Sequence, residues 1–178
     1  HLPVLLDAAF RLSQDSAVQF LMIRASTVDR AELESMLKRV PLRIPIVENQ
    51  RYDAVNACDL AWTASGTATV ETALLLKPMI IVYRLSWITY ALARMLVNVK
   101  HVGMVNIMAG KEIVPELIQA DFTAERVVKK TRTLLENRDQ RDRIVGKLVS
   151  LREKLGTPGA ADRVAHIAMS MMGKGSKV

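Results

Sequence analysis

A single cysteine, Cys58, stands in 178 residues, which excludes an internal disulfide and any cysteine-rich metal site. Aromatic residues are only 4% of the chain, so no row of rings interleaves with the basic side chains, and nucleic acid is not an expected partner. The three histidines, His1, His101 and His166, are scattered and read as surface or cap residues rather than ligands. Long apolar runs are missing as well. "ALLL" is cut by Lys77-Pro78 and "MIIVY" ends at Arg84, far short of the roughly 20 residues a membrane-spanning helix needs. No signal peptide is legible, and the chain opens on His1 inside a helical pattern, so a preceding loop is expected to have been lost. Neither G-x-x-x-x-G-K-[ST] nor G-x-G-x-x-G occurs, and Ser65 lacks the flanking glycines of a G-x-S-x-G elbow.

What is present suits one globular domain. Half the residues are hydrophobic and 24% are charged, enough for a proper core at this length. The net charge of +7 is unevenly placed: residues 1–122 hold 12 Lys and Arg against 12 Asp and Glu, whereas residues 123–178 hold 13 against 6. A basic C-terminal end fits an anionic bilayer or a solvated helical face.

Short apolar runs alternate with helical stripes. Strands are expected at residues 17–23, 43–48, 60–64 and 79–84, with helices over 27–40, 49–58 and 66–76. The run at 79–84 is apolar throughout, as in a strand covered on both faces. A further helix opens on Ser86, a fitting N-cap, and its apolar segment Trp87 to Val97 suits a core face or lipid. Residues 101–110 read as a loop, and the pattern after Pro115 is helical to the end. Val127, Val128, Thr131, Leu134 and Leu135 form one stripe; Ile144, Leu148, Leu151 and Leu155 form another; Val164, Ile167, Ala168 and Met171 form a third. The expected fold is α/β: a Rossmann-like, doubly wound parallel sheet of at least four strands with a helical C-terminal end. Residues 1–122 form the expected α/β unit, 123–172 the helices packed on it, and 173–178 a frayed tail.

The stretch that carries chemistry is "TASGTATVETALLL". A buried strand ends at Ser65-Gly66-Thr67, where a helix begins, and ligands of open α/β sheets sit at such points. Free N–H groups and the positive helix end favour an anion there, and Gly66 admits a phosphate close to the backbone. Thr67 and Glu71 share a helix face with about 6 Å of axial rise between them. That offset suits a diphosphate at the tip and a sugar hydroxyl pair at the carboxylate. A plain helix cap at Ser65, with an ordinary second-turn glutamate, remains the competing reading.

"ASGTATVETALLLKPMIIVYR" followed by "VNIMAGKEIVPELIQADFTAERV" resembles the C-terminal half of the bacterial lipid-A-disaccharide synthase family. The likeness covers most of the chain and is strongest from Asp59 to Val127. It implies one domain of a two-domain glycosyltransferase-B architecture, with neither cofactor nor metal. The implied reaction moves 2,3-diacylglucosamine from UDP-2,3-diacylglucosamine to 2,3-diacylglucosamine 1-phosphate, with inversion, giving lipid A disaccharide and UDP. A cytoplasmic protein, peripheral on the inner face of the inner membrane and facing an anionic surface, is implied too; an oligomer is left open. Another UDP-sugar enzyme of this architecture, an N-acetylglucosaminyltransferase or an epimerase, is the nearest alternative, and a non-catalytic membrane-peripheral module is the next.

The resemblance assigns Ser65, Gly66 and Thr67 to the diphosphate-side loop and Glu71 to the ribose. Asn106, Ala109 and Gly110 match a loop walling the nucleotide-sugar pocket. Gln119 matches a family glutamine of less defined role. Tyr83 and Arg84 match a strand-end pair that serves either the cleft floor or the structure. Two departures stand out: the family's glycine- and arginine-containing loop and its acceptor half, with the general base, have no counterpart in this sequence. The chain alone is therefore expected to be inactive. Should it turn over, Glu48, Asp53, Glu112 and Glu116 are the carboxylates to consider.

Overall fold

The computed structural model describes residues 1–86, 101–156 and 159–174. The helix expected from Ser86, with its apolar segment Trp87 to Val97, falls on residues 87–100 and lies outside the described residues.

The chain alternates helices and strands: α1 (Leu2–Ser13), β1 (Met22–Ile23), α2 (Arg30–Leu37), β2 (Ile46–Val47), α3 (Arg51–Ala57), β3 (Ala61–Ala64), α4 (Thr67–Leu74) and β4 (Met79–Tyr83). Then come α5 (Met104–Ala109), β5 (Glu116–Ile118), a 3-10 turn (Gln119–Asp121), α6 (Ala124–Glu136), α7 (Arg138–Leu155) and α8 (Ala160–Lys174). Every strand pairing is parallel. The expected single sheet of four or more strands is, however, divided into two ladders, β1-β2 and β3-β4-β5. The strands expected over 17–23 and 43–48 shrink to two residues each. Pro45 cannot donate to a ladder; its carbonyl instead accepts from Met22 N at 2.8 Å at the edge of the short pairing.

β4 is the centre. It pairs with β3 on one side (Ala64 opposite Val82) and β5 on the other (Val82 opposite Leu117). Met79, Ile80, Ile81 and Val82 are fully buried, which matches the unbroken apolar run. Burial of each such side chain contributes about 1.5–3 kcal/mol. The main core gathers β4 with Ala8 and Leu12 of α1, Phe122, Val127 and Leu134 of the α6 region, and Ile144, Leu148 and Leu151 of α7. A satellite core joins Leu6 of α1 to Leu33 and Leu37 of α2, under Met22 and Ile46. Because Leu6 faces one core and Ala8 and Leu12 the other, α1 ties the two ladders together.

Two elements depart from the sequence pattern. Residues 104–109, read as loop, form α5, which is too short to show a stripe and is ended by Gly110. Residues 116–118, read as helical, form β5; a strand of three residues beginning with a glutamate offers no alternation to detect. Among the C-terminal stripes, α6 buries Val127, Val128, Thr131 and Leu134 as expected. Leu155, by contrast, is exposed, and on α8 Val164, Ile167 and Met171 are 65%, 60% and 70% exposed. The third stripe therefore faces no core within the described residues.

Side chains finish the helices. Asp29 caps α2, Thr123 caps α6 and Asn137 caps α7, each accepting from a first-turn N–H. Arg141 donates to the carbonyls of Leu134 and Leu135 at the end of α6. Trp62 Nε1 donates to the buried Thr131 Oγ1 at 2.9 Å, joining β3 to α6. Trp62→Phe removes that donor while keeping an aromatic ring. The expected loss is about 1 kcal/mol of unfolding free energy, read from urea denaturation, with an unchanged urea dependence.

Candidate functional site

The carboxyl end of β3 delivers Ser65 to the start of α4. Ser65 N donates to Val82 O at 3.3 Å, extending the ladder by one residue. Its hydroxyl does not cap the helix, contrary to expectation: Ser65 Oγ donates to Val102 O at 2.9 Å. The N-cap is Gly66, at φ 147°, a conformation side-chain-bearing residues rarely adopt, and a Cβ built there meets nothing within 4 Å. The tip is thus both glycine-dependent and open. No side chain caps α4, and its first turn holds no acidic residue. Thr69 instead folds back, donating from N and Oγ1 to Gly66 O at 3.1 and 2.7 Å. Thr69 N is thus taken, while the N–H groups of Thr67 and Ala68, ahead of the first intrahelical bond, lie at the exposed tip.

Glu71 lies one turn on and is not alone. Arg51, at the start of α3, comes within 3.5 Å of its carboxylate, the two side chains being 53% and 37% exposed. Arg51 is a site residue that sequence reasoning missed. Its only prior signal was position, just past the end of a predicted strand. Its guanidinium is held above its ordinary pKa first by the hydrogen bond to the Tyr52 hydroxyl and then by Glu71, so the cation persists at any working pH.

A second group of the expected residues lies at α5. Asn106 is 0% exposed, its side chain buried beneath the segment rather than presented at a surface. Its Nδ2 donates to Val114 O at 2.8 Å and Glu116 Oε1 at 2.7 Å, and its Oδ1 accepts from Ile113 N at 2.8 Å and Val114 N at 3.1 Å. The Glu116 carboxylate also accepts from Val102 N and Gly103 N at 2.9 and 3.0 Å. Gly103 passes so close to β4 that an added Cβ would stand 2.2 Å from Ile81 Cδ1. Ala109 and Gly110 close α5, with Gly110 exposed.

The third group, Tyr83, Arg84 and Gln119, fastens the exit of β4. Gln119 Oε1 accepts from Leu85 N at 2.9 Å while its Nε2 donates to Leu85 O at 3.3 Å. These bonds hold Gln119 at φ 53°, which costs of order 1 kcal/mol or more for a side-chain-bearing residue. The Arg84 guanidinium donates to Phe122 O at 2.7 Å and lies 5.4 Å from the Phe122 ring centre. His1 Nε2 accepts from Arg84 N at 2.9 Å, its ring 5.5 Å from that of Tyr83.

Other chemistry finds little support nearby. Cys58 is half-buried, its thiol donating to Val55 O at 3.0 Å, and burial pushes its pKa up, away from a reactive thiolate. Among the described residues no cluster of His, Cys, Asp or Glu could hold a metal ion. A cavity of about 370 Å³ is lined by residues 112–115, α6 and α7; it includes none of Ser65, Gly66, Thr67, Glu71, Tyr83, Arg84, Asn106, Ala109, Gly110 and Gln119.

Parallel strands joined through helices, with an open, uncapped helix tip at a strand's carboxyl end, define a Rossmann-like α/β domain of the glycosyltransferase-B kind. The chain belongs to the lipid-A-disaccharide synthetase family, whose model matches residues 1–166. It is 42% identical over 175 residues to the lipid-A-disaccharide synthase of Syntrophus aciditrophicus (strain SB), covering 97% of this chain and 46% of that protein. The synthase of Anaeromyxobacter dehalogenans (strain 2CP-C) is 43% identical over 173 residues, covering 96% of this chain and 45% of its own. That of Geobacter metallireducens (strain ATCC 53774 / DSM 7210 / GS-15) is 37% identical over 174 residues, with 97% and 45% covered. The chain thus spans about half the length of these curated relatives.

Removing the amide of Asn106 strands two buried N–H groups. Asn106→Ala is expected to lower unfolding free energy by roughly 2–4 kcal/mol. Hydrogen exchange should show the protection of Ile113 and Val114 amides falling first, ahead of the β3-β4 ladder.

Proposed function

We propose that this chain forms the donor-sugar side of a lipid-A-disaccharide synthase. The observation that carries the reading is Glu71, a carboxylate one turn above the open, uncapped tip of α4 in a chain of this family. Diphosphate oxygens at the tip accept from the free N–H groups of α4, and Glu71 accepts from the two ribose hydroxyls. The donor is UDP-2,3-diacylglucosamine and the acceptor 2,3-diacylglucosamine 1-phosphate. The acceptor hydroxyl displaces UDP at the anomeric carbon with inversion, and the helix tip takes up charge that develops on the leaving diphosphate. On this reading residues 1–122 are the donor unit and 123–172 the helices that brace it. The general base and the acceptor contacts belong to a second half.

The test is direct. UDP binding, followed by calorimetry in a full-length relative carrying the equivalent change, should weaken by roughly 1–3 kcal/mol on Glu71→Ala, with little change in thermal stability. Unaltered affinity would reduce Glu71 to an exposed helix residue.

An anionic membrane surface is the second partner, favoured by where the unpaired charge sits. Lys130, Arg143 and Lys147 line the same cavity between α6 and α7, together with Glu112 and Asp139. No helix among the described residues is long and apolar enough to cross a membrane. Binding to anionic vesicles should exceed that to neutral ones and decline with salt. Replacing the three cations by alanine should erase most of the difference in a sedimentation assay, at about 1 kcal/mol per charge. Equal binding to both vesicle types returns the surplus to a solvated face.

A further inference from the structure

The cavity of about 370 Å³ between residues 112–115, α6 and α7 has a lining divided by depth. Its buried members, Ile113, Val114, Leu134 and Ile144, are all apolar and at most 5% exposed. Its charged members, Lys130, Arg143, Lys147, Glu112 and Asp139, are all exposed. Arg143 and Lys147 are four apart on α7 and so share a face, while Lys130 reaches the cavity from α6. Among the described residues, none of these three cations has an ion pair or a hydrogen bond, and the two carboxylates stand free of cations as well. Unpaired like charges around one hollow repel each other, so stability gives no reason for the arrangement. The walls are nonetheless fixed. Asn106 holds the backbone of Ile113 and Val114, and Arg141 ties the end of α6 to α7.

An apolar depth beneath a cationic rim suits an amphiphile better than a bare ion. The volume falls in the range of small-molecule pockets, roughly 300–1,000 Å³. Three cations and two carboxylates leave the lining with a net charge of +1, the complement of a phosphodiester monoanion. We propose that this cavity is a discrete site for an anionic phospholipid. The phosphodiester sits at the rim. Arg143 offers its planar fork of donors to two phosphate oxygens, and Lys130 and Lys147 add point charges. The ester stem and the first methylenes of one acyl chain occupy the depth over Leu134 and Ile144. The assignment rests on the membrane reading of the preceding section and narrows it from a charged surface to a built site. The two differ in what they count. A charged surface registers only the number of cations near the bilayer, whereas a site registers the shape of each cation and the apolar part of the ligand.

The experiment titrates four soluble probes into the 178-residue chain and follows its amide shifts by NMR. The probes are dihexanoyl phosphatidylglycerol, dihexanoyl phosphatidylcholine, glycerol 3-phosphate and inorganic phosphate, each kept below micelle formation. The natural sequence is compared with Arg143→Lys, which keeps the charge, and with Lys129→Ala, which removes an exposed α6 cation outside the cavity. Circular dichroism confirms that each variant is folded. Phosphatidylglycerol is expected to shift amides of residues 112–115 and of the facing turns of α6 and α7. It should bind at least about tenfold more tightly than glycerol 3-phosphate or inorganic phosphate, which lack the apolar part. Phosphatidylcholine, with the same chains and no net charge, should bind at least about fivefold more weakly than phosphatidylglycerol. Arg143→Lys should weaken phosphatidylglycerol about fivefold, the scale of one hydrogen bond at a partly exposed site, and Lys129→Ala should leave it within about twofold. Inorganic phosphate binding as tightly as phosphatidylglycerol overturns the lipid assignment in favour of a free-phosphate site. Affinity indifferent to Arg143→Lys, or shifts confined to other parts of the chain, overturns the site; if anionic vesicles still outbind neutral ones, the membrane reading stands. A chain that neither binds the short-chain lipid nor prefers anionic vesicles overturns both.

Discussion

The buried amide of Asn106 is the constraint on which the candidate site depends. It meets four backbone and side-chain partners at once, and through Glu116 it fixes the N–H groups of Val102 and Gly103. Those two residues lead into α5, and a Cβ added at Gly103 would stand 2.2 Å from Ile81 Cδ1, so that side chain would have to shift. With the segment fixed, the Val102 carbonyl accepts the Ser65 hydroxyl. A serine that would otherwise cap α4 is thereby turned away, and the helix tip is left without a side-chain oxygen. The openness of the tip is thus a product of packing at a distance. A buried polar group with every partner supplied is stable and specific; the same group with partners missing is costly, which is why the network behaves as one unit.

Electrostatics follow from that openness. No carboxylate of α4's own first turn offsets its positive end, while Glu71, a turn on in the same helix, is itself matched by Arg51. Attraction for an anion at the tip is therefore not cancelled locally.

The parallel α/β plan was legible because its signals are local: β4 is apolar throughout, and α6 and α7 carry stripes at helical spacing. The two-residue strands β1 and β2 and the three-residue β5 lie below the length at which periodicity has meaning. Ser65, Gly66, Thr67 and Glu71 were legible as a strand-to-helix junction, yet Ser65 was misread as a cap because its true partner, Val102, is 37 residues away. Asn106 was recognisable by resemblance, but its burial was not, since four of its bonds end on residues 113–116, with no local pattern. Arg51 escaped for the same reason, 20 positions from Glu71. The stripe on α8 shows the reverse limit: spacing reveals an apolar face but not what covers it.

The carboxylates named as fallback bases can now be weighed against the chemistry they would have to perform. A general base works best when its pKa lies near the operating pH. Glu48 moves the wrong way: its pKa is lowered, first by the hydrogen bond from Arg24 at 3.0 Å, with Arg30 adding to the effect. A proton acceptor so well paired is a weak one. Glu116 is occupied by three N–H donors whose loss would release the α5 segment, so drawing it into catalysis would undo the packing it supports. Asp53 and Glu112 are exposed to water on the surface. On the donor-side reading this is coherent: the chain binds and stabilises the leaving nucleotide, and deprotonation of the acceptor falls to the other side of the cleft.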